Sequence, residues 1–529
     1  MLAAFATPDS AAASSAPAAG TTPANASATA MSVPRFYIRQ YEVKGGGKLL
    51  SSDEVEEAVY PYLGPYRTTE DVEAARGALE KAYRDKGYQT VTVMVPAQQM
   101  RNGVVKLQVM SGQVERLRVN GSRYFSIDQI RREAPSLQEG TSPNFTQVTH
   151  DLLVLNQISD RRVTPSVSPG REPGTVDVDL TVKDTFPMHG SLEINNRYSA
   201  DTTPLRLNGS VSYDNLWQLE HSVGFSFQTA PENPSDVKVF SGYYLARVPD
   251  MSWLSLMLQG TDQDSNVNTL GGIGVAGKGQ VIGGRAVFAL PSRKDFYHSL
   301  SLGIDYKHFD QDVDIAGTHS VTPVTYYPLS AAYSSTWQGK GYETDFNASV
   351  NLAIREFGSD EAEFQQNRVG SSGDFIYFRG DLSQTWELPE GCQLFAKVQG
   401  QASDEPLVNS EQFSGGGIGT VRGYLESEEL GDNGILGSVE MRSPSLGDVL
   451  GKAVNDWRFY VFAEGGRLSL DEALADQQSQ FTLASIGAGT RLRILDHLNG
   501  SLDLGVPMDN GVQTTAWSPL LTFRVWAEF

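Results

Sequence analysis

The amino-acid sequence predicts an α+β fold of two βααββ repeats, followed by an all-β antiparallel barrel of sixteen strands that crosses a membrane. Three observations predict this fold. The order strand, helix, helix, strand, strand occurs twice before Pro187. After Pro187 the chain consists of short runs in which apolar and polar residues alternate. The joints between these runs alternate between short and long, which is typical of membrane barrels.

The composition favours strands over helices as the membrane-crossing elements. Hydrophobic residues make up 40% of the 529 residues, charged residues 20%, and the mean hydropathy is -0.30. No run approaches the roughly 18 apolar residues of a membrane helix. A spanning strand needs only about 9–11 residues, and its alternation conceals it in a hydropathy average. The length itself suggests about three or four domains.

The charge and the cysteine content exclude several classes of protein. The net charge of -21 argues against a nucleic-acid partner, since phosphate backbones are bound by clustered Lys and Arg. Cys392 is the one cysteine, so it forms no internal disulfide, and it has no His or Cys at zinc-ligand spacing. We expect exposed loops to carry the acidic charge.

Residues 1–35 form an Ala/Ser/Pro-rich segment that we interpret as a linker, since such a composition cannot bury a core. Ala4-Phe5-Ala6 would serve as a signal-peptide cleavage site, so the segment is also interpreted as a signal-peptide remnant. A chance tripeptide in an Ala-rich stretch is the alternative. The segment lacks the periodic apolar face of a helix that could plug a pore.

Residues 36–112 and 113–186 are predicted to be two domains of one type. In the first, helices begin near Ser52 and after Thr68, which has Asp71 three residues on as a capping box. The second repeats the same order, with helices opening at Ser126 and Phe145. The predicted strands are Phe36–Gly45, Val91–Pro96, Val104–Met110, the run around Leu117–Gly121, and Val176–Val182.

Residues 187–529 are predicted to form the barrel. Joints such as Pro389–Gly391 are short, whereas Phe357–Gly373 and the loop 404–433 are long and polar. Short periplasmic turns and long external loops are the signature of outer-membrane barrels. Candidate strands begin near residues 190, 204, 220, 236, 251, 275, 296, 324, 342, 375, 392, 434, 456, 481, 498 and 518.

The last strand shows the alternation most clearly. Leu521, Phe523 and Val525 face one way, predicted to be lipid, and Thr522 and Arg524 face the other. The chain ends on an aromatic residue, Phe529, which resembles the C-terminal signal read by the outer-membrane assembly machinery.

Motifs for catalysis and for metal or cofactor binding fail in their context. Gly272–Gly277 matches a dinucleotide motif but is followed by strand pattern and not by a helix. Asp310, Asp312 and Asp314 begin like a calcium loop, but Ile315 and Val321 replace its glycine and glutamate, so we expect a solvated acidic loop. The sequence therefore predicts no catalytic residue, no metal and no cofactor. We expect the protein not to be an enzyme.

The loop 404–433 carries a specific motif. Leu407–Tyr424 reads LVNSEQFSGGGIGTVRGY, and Val421, Arg422, Gly423 and Tyr424 resemble the VRGY/F loop motif of the barrel-assembly and two-partner secretion superfamily. The chain resembles the two-partner secretion transporters (TpsB type, hemolysin and hemagglutinin secretion and activation proteins) over residues 36–529. The resemblance implies two periplasmic POTRA domains and a monomeric outer-membrane pore that secretes a passenger exoprotein. Its further partners would be outer-membrane lipid and the barrel-assembly machinery.

That family pairs the loop with an FxDxG motif on the thirteenth barrel strand. Phe462, Glu464 and Gly466 occupy the matching positions, so glutamate replaces the expected aspartate. Strand alternation places these three residues in the lumen, where an unpaired charge would be costly. We therefore expect Arg422 and Glu464 to meet as a latch, the alternative being that Arg422 is an ordinary external charge. A barrel-assembly insertase and a passive diffusion porin are the alternative functions.

Overall fold

The computed structural model describes residues 34–249, 251–265, 277–293, 295–315, 318–447, 451–475 and 477–529. The linker expected over residues 1–35, apart from its last two residues, lies outside them, as does most of the glycine-rich run 272–277. The side chains of Asp312 and Asp314 are also outside the described set. Among the described residues, no helix is long and apolar enough to cross a membrane.

The first repeat folds as a three-stranded sheet with two helices and an additional strand pair. Its elements are β1 (Phe36–Ile38), β2 (Gln40–Gly45), α1 (Ser52–Val59), β3 (Gly64–Arg67), α2 (Thr69–Asp85), β4 (Thr92–Met94) and β5 (Val104–Met110). The sheet order is β2-β5-β4, and β2 runs parallel to β5. β1 pairs with β3, a short strand that the sequence pattern did not indicate.

Both helices of the first repeat begin at capping boxes. The side chain of Ser51 accepts the backbone N–H of Glu54, whose carboxylate in turn accepts the N–H of Ser51. Thr68 and Asp71 form the same pair at α2, as predicted. Leu79 on α2 is fully buried in a core that includes residues of the sheet. The caps therefore fix where the helices start, and the apolar face fixes what they cover.

The second repeat also combines a three-stranded sheet with two helices. Its elements are β6 (Gln113–Asn120), α3 (Ile127–Arg132), α4 (Phe145–Leu155), β7 (Arg161–Pro169) and β8 (Thr175–Asp184). The sheet order is β6-β8-β7. The pattern did not indicate β7, because Pro165 and Pro169 weaken a strand prediction, and both suit the edge position that β7 occupies.

The chain divides into two compact units. Among the described residues, one comprises 34–117, Ser136–Thr149 and Val167–Val178, and the other comprises Arg118–Pro135, His150–Ser166 and those from Asp179 to Phe529. Residues of the segment 113–186 belong to both units. The boundaries drawn from the sequence at residues 112 and 186 therefore stay a prediction.

The second unit contains the barrel, whose strands follow the chain. They are β9 (Met188–Asn195), β10 (Arg206–Leu216), β11 (His221–Thr229), β12 (Lys238–Arg247), β13 (Leu254–Ser265), β14 (Gly277–Ala289), β15 (Phe296–Ile315), β16 (Thr318–Tyr326), β17 (Leu329–Gly339), β18 (Tyr342–Ala353), β19 (Phe375–Glu387), β20 (Gln393–Ser403), β23 (Asn433–Arg442), β24 (Val454–Ser469), β25 (Gln480–Ile494), β26 (Leu498–Pro507) and β27 (Leu520–Glu528). The joint between β20 and β23 contains β21 (Phe413–Gly415) and β22 (Glu429–Gly431).

The barrel closes because β27 pairs with β9 as well as with β26. β16 and β17 both pair with β15 and together form one barrel strand, interrupted at Tyr327 and Pro328. The described strands thus make a closed antiparallel barrel of sixteen strands, as predicted. The acidic residues around Asp310 continue β15 as strand, so the expected loop at this point is wrong.

Burial follows the predicted alternation. Leu521 and Val525 on β27 are exposed on the barrel exterior, whereas Thr522 is buried. On β24, Phe459 and Val461 are exposed, whereas Phe462 and Glu464 are buried.

The joint between β18 and β19 differs from prediction because it contains a helix, α5 (Glu361–Asn367). A capping box at Asp360 begins this helix, and the buried side chain of Phe364 packs it against the rest of the fold.

Candidate functional site

The motif Val421–Tyr424 lies in the joint of residues 404–432 between β20 and β23. This joint, called here the lumen loop, packs against inward-facing side chains of the barrel. Leu407, Val408 and Val421 are fully buried in it. A three-residue ladder between β21 and β22 ties its two arms together. The motif is therefore part of a packed loop with fixed neighbours.

Arg422 reaches Glu464 on β24 through three hydrogen bonds. The backbone N–H of Arg422 donates to Glu464 Oε2 at 2.6 Å, and the side-chain Nε and Nη2 donate to Oε1 at 3.0 and 2.6 Å. Arg422 is 5% exposed and Glu464 8%. Paired guanidinium–carboxylate hydrogen bonds are among the strongest in proteins. The glutamate that replaces the family's aspartate thus makes the loop contact itself.

Two further carboxylates bind the same guanidinium. Nη2 of Arg422 lies 2.9 Å from Glu440 Oε2 on β23, and Nη1 donates to Asp503 Oδ1 on β26 at 2.8 Å. Glu440 is 1% exposed and Asp503 3%. Arg422 therefore connects the loop to three strands of the barrel wall, and not to one.

The charges of this cluster balance. Glu440 also pairs with Arg442 and Arg491, at 2.7 and 3.1 Å. The cluster thus contains three arginines and three carboxylates: Arg422, Arg442, Arg491, Glu440, Glu464 and Asp503. Buried charges are stable only when they are paired and hydrogen-bonded, so removal of Arg422 leaves Glu464 and Asp503 without their counter-charge in the cluster. We call these six residues the latch cluster.

The ring of Phe462 lies against the guanidinium of Arg422. The Cζ atom of Arg422 lies 3.6 Å from the centre of the Phe462 ring, within cation–π distance. A Cβ atom on Gly487 of β25 would lie 2.3 Å from the same ring, so glycine there leaves room for it. Phe462, the first residue of the predicted wall motif, therefore positions Arg422.

Glycine is required where the loop meets the wall. Gly423 has φ +96°, a conformation that side chains disfavour. A Cβ atom on Gly505 of β26 would lie 2.5 Å from the backbone nitrogen of Gly423, so loop and strand approach backbone to backbone. A Cβ atom on Gly466 would lie 2.0 Å from the carbonyl oxygen of Ile435. These contacts fix the distance between Arg422 and the wall.

Tyr424 completes the motif. Its side chain is 1% exposed, and its hydroxyl lies 3.1 and 2.9 Å from the carbonyl oxygens of Ala484 and Asp509. The structure therefore brings the loop residues Val421 to Tyr424 and the wall residues Phe462 and Glu464 to one place, with Gly466 packed against the adjacent strand.

Phe529 lies elsewhere, at the seam of the barrel. Its backbone exchanges two 3.1 Å hydrogen bonds with Gly190 of β9, and its ring covers Gly190, where a Cβ atom would lie 2.4 Å from the ring. The side chain is 69% exposed. The terminal residue thus helps to close the strand ladder.

Glu440 and Asp503 were not predicted from the sequence, although a signal for them exists. Alternation along β23 from Ser438, which hydrogen-bonds Glu464, places Glu440 inward. The same alternation places Asp503 inward on β26. Alternation applied to every wall strand, and not to β24 alone, would have found both carboxylates.

One group of described residues has a spacing that could hold a metal ion: Asp160, His189 and Asp214. Nε2 of His189 lies 3.0 Å from Asp160 Oδ2 and 3.6 Å from Asp214 Oδ2. A histidine that is hydrogen-bonded to Asp160, with the Asp214 carboxylate nearby, accounts for this geometry without an ion.

Comparison with known proteins decides the family. A model of the haemolysin secretion/activation protein ShlB/FhaC/HecB matches residues 174–492, which is more than half of the chain. The chain belongs to this family. A model of the ShlB-type POTRA domain matches residues 36–112. The protein is therefore an outer-membrane two-partner secretion transporter whose amino-terminal POTRA domains lie in the periplasm.

Relatives cover most of this transporter. The outer membrane transporter CdiB of Dickeya dadantii is 23% identical over 490 residues, which are 87% of this chain and 80% of that protein. The heme/hemopexin transporter protein HuxB of Haemophilus influenzae is 20% identical over 495 residues, 90% of this chain and 85% of that protein. The solved structure of CdiB from Escherichia coli has a TM-score of 0.67 at 21% identity and covers 96% of this chain and 93% of its own. That structure shares the fold.

Proposed function

We propose that this transporter passes an unfolded exoprotein outward through the barrel, that the lumen loop is its gate, and that the latch cluster holds the gate closed. The observation that carries the proposal is the position of Arg422, 5% exposed and bound to carboxylates on three strands of the wall. The loop packs against side chains of the inner wall, so we propose that it moves aside when a passenger crosses the barrel.

The electrostatics support a closed resting state. Withdrawal of Arg422 would strand Glu464 and Asp503, which are both buried, while Glu440 would keep its ion pairs with Arg442 and Arg491. Breaking one partner out of a buried ion pair typically costs about 3–5 kcal/mol. An arriving passenger has to offset that free energy, which makes the opening conditional on its presence.

The sheets of the two repeats supply a site for capture. β2 and β4 are the edge strands of the first sheet, and β6 and β7 are those of the second. An edge strand offers free backbone N–H and C=O groups, to which an extended peptide can add as a further strand. We propose that an unfolded passenger binds there before it enters the pore.

The remaining expectations from the sequence also stand as proposals. The two POTRA domains extend over residues 36–112 and 113–186, and the barrel over 187–529. The transporter acts as a monomer in outer-membrane lipid, without a cofactor and without catalysis. The barrel-assembly machinery recognises its terminal strand through Phe529.

The alternative functions differ from this proposal in their requirements. A passive diffusion porin needs no POTRA domain, yet a POTRA model matches residues 36–112. A barrel-assembly insertase would be expected to carry more than two repeats and to be essential. Loss of the gene tests this alternative, because a secretion pore predicts loss of one exoprotein with normal levels of other barrels.

The gate itself is tested by Arg422→Ala in the purified full-length protein in planar lipid bilayers. We expect the open-channel fraction to rise at least tenfold, since about 1.4 kcal/mol corresponds to tenfold in an equilibrium. In cells the same variant should reach the outer membrane at normal levels, because the closed strand ladder of the barrel does not depend on the lumen loop.

The matched control is Arg285→Ala. Arg285 on β14 pairs with Asp305 of β15 at 2.8 Å, so it is a wall arginine with a carboxylate partner on the neighbouring strand. We expect the conductance of the Arg285→Ala variant to equal that of the unchanged protein. If the two variants conduct alike, Arg422 is only a structural residue of the wall and the gate proposal fails.

A further inference from the structure

The lumen loop also carries a buried carboxylate, Glu411, eleven residues before Arg422 in the sequence. Glu411 has a side chain that is 2% exposed. Its Oε1 accepts from Lys307 Nζ at 2.5 Å and from Tyr326 Oη at 2.6 Å, and its Oε2 accepts from Tyr377 Oη at 2.7 Å. The sequence pattern did not single out any of these residues.

The donors to Glu411 belong to a different part of the wall from the latch cluster. Lys307, Tyr326 and Tyr377 lie on β15, β16 and β19, and the latch carboxylates lie on β23, β24 and β26. The backbone carbonyl of Glu411 also accepts from Arg379 on β19 and Gln401 on β20, at 3.2 and 3.1 Å. The two groups lie on consecutive arcs of the barrel, β15–β20 and β23–β26, which meet where β20 pairs with β23.

Neighbouring loop residues are fixed with Glu411. Ser410 Oγ lies 2.8 Å from the hydroxyl of Tyr326. Asp432, at the far end of the loop, accepts from the backbone N–H of Leu407 at 2.9 Å and from Gln412 Nε2 at 3.0 Å. Leu407 and Val408 are fully buried in one apolar cluster with Tyr326 and Tyr377. The segment 407–412 is thus attached to the wall through contacts that do not involve Arg422.

Glycines separate the two attachments. Between Glu411 and Arg422 the chain reads QFSGGGIGTV, and Gly416 and Gly417 have φ values of +104° and +93°. Both glycines lie in the left-handed region, so the backbone here can adopt conformations that a residue with a side chain disfavours. A movement at one attachment therefore need not be transmitted to the other.

We infer that Glu411, held by Lys307, Tyr326 and Tyr377, is a second anchor of the lumen loop that acts independently of the latch cluster. Release of Arg422 then loosens the segment 420–426, while the segment 407–412 stays bound to β15–β20. The consequence for gating rests on the proposed function, since the loop would swing on a fixed end and not leave the lumen as a whole. The anchor itself does not depend on transport.

Hydrogen–deuterium exchange, read by mass spectrometry on the full-length protein in detergent, tests the anchor without a passenger. Glu411→Gln leaves Lys307 without a counter-charge in a buried site, which is strongly unfavourable. We expect amides in 406–413 to exchange at least tenfold faster, with 420–426 unchanged. Arg422→Ala should give the converse, faster exchange in 420–426 with 406–413 unchanged.

A second variant removes hydrogen bonds without creating an unpaired charge. Tyr326→Phe with Tyr377→Phe retains both rings but removes two of the three donors to the Glu411 carboxylate. Exchange in 406–413 should rise again, by less than in Glu411→Gln. The control is the difference in electrophoretic mobility between heated and unheated protein. If a variant keeps the difference seen in the unchanged protein, its barrel is folded.

Two results would overturn the inference. If Glu411→Gln and the double variant Tyr326→Phe with Tyr377→Phe both leave 406–413 as protected as before, the contacts of Glu411 do not anchor the loop. If each variant releases 406–413 and 420–426 together, the loop has one attachment and not two. Neither result bears on whether Arg422→Ala opens the channel, so failure of the anchor and failure of the gate are separate outcomes.

Discussion

At the scale of single residues, Arg422 is held by a set of charges and not by one bond. Glu464 accepts three of its hydrogen bonds, but Glu440 and Asp503 remain when Glu464 loses its charge. The effect of a substitution at Glu464 should therefore depend on whether charge or reach is altered.

We predict that Glu464→Gln opens the channel less than Arg422→Ala does, and that Glu464→Asp is nearly silent. The glutamine removes one negative charge from a balanced cluster, whereas the aspartate keeps the charge and restores the family residue. Channel conductance in a double-mutant cycle with Arg422→Ala measures the coupling, expected at about 0.5–3 kcal/mol for residues in one network. Strictly additive effects would show that Arg422 and Glu464 do not act together.

The sequence predicted some members of this site and missed others for a physical reason. Arg422 and Glu464 lie in motifs with near neighbours of fixed type, so they can be found one segment at a time. Asp503 and Glu411 acquire their role only through strand order and register, which bring together residues about 80 and 100 positions apart. Alternation places Asp503 on the inner face of its strand, but no local pattern shows which residues of other segments these two carboxylates meet.

At the scale of elements, the hairpin β21–β22 contains a titratable group in an unusual setting. Glu429 is 4% exposed, and its Oε1 accepts the backbone N–H of Val512 at 3.0 Å. Burial raises the pKa of Glu429 to about 7, the Val512 N–H acts in the opposite direction, and the charge of Glu428 raises it further. The protonated carboxyl is therefore the form that suits the folded hairpin.

We predict that the hairpin loosens as pH rises. The pKa of Glu429 is about 7 when folded and has an ordinary value of 4.5, so the stabilisation is complete below about 4.5 and is lost as pH rises through 7. Hydrogen exchange at 429–431, corrected for the intrinsic rate, should show the free energy of opening falling between these values. Glu429→Gln should abolish the dependence. A slope that persists in this variant would assign it to another group.

The barrel strands were predictable because each is long enough to show its alternation. The starts expected near residues 296, 342, 375 and 498 are those observed, and others lie within a few residues. The break at Pro328 within the eighth barrel strand, the three-residue ladders of the lumen loop and α5 were not predictable, because each is too short for a period to emerge. Their stability comes from contacts such as the burial of Phe364.

At the scale of the whole molecule, we expect substitutions in the periplasmic repeats and substitutions in the barrel to impair different steps of secretion. The closed ladder from β9 to β27 stabilises the barrel whatever the state of the lumen loop. A change in a POTRA sheet edge should accordingly impair capture without impairing insertion or conductance. The sheet of residues 36–112 offers a specific place for such a change.

The free edge of β2 can be blocked at a single position. The backbone N–H of Gln40 donates to the carbonyl of Gly103, just before β5, so on alternation the N–H of Glu42 also faces β5, and those of Tyr41 and Val43 face away from it. Proline lacks the N–H and cannot pair with an added strand. Val43→Pro therefore removes a donor from the free edge only.

We predict that Val43→Pro lowers secretion of the passenger by about tenfold or more, since a lost main-chain hydrogen bond of about 1 kcal/mol is joined by steric exclusion of the incoming strand. Val43→Thr, which keeps both the β-branch and the N–H, is the matched control and should secrete normally. Both variants should insert and conduct equally, and limited proteolysis should show the domain folded in each. Normal secretion by a folded Val43→Pro protein would mean that the passenger does not add to β2, and capture would then have to use a different edge.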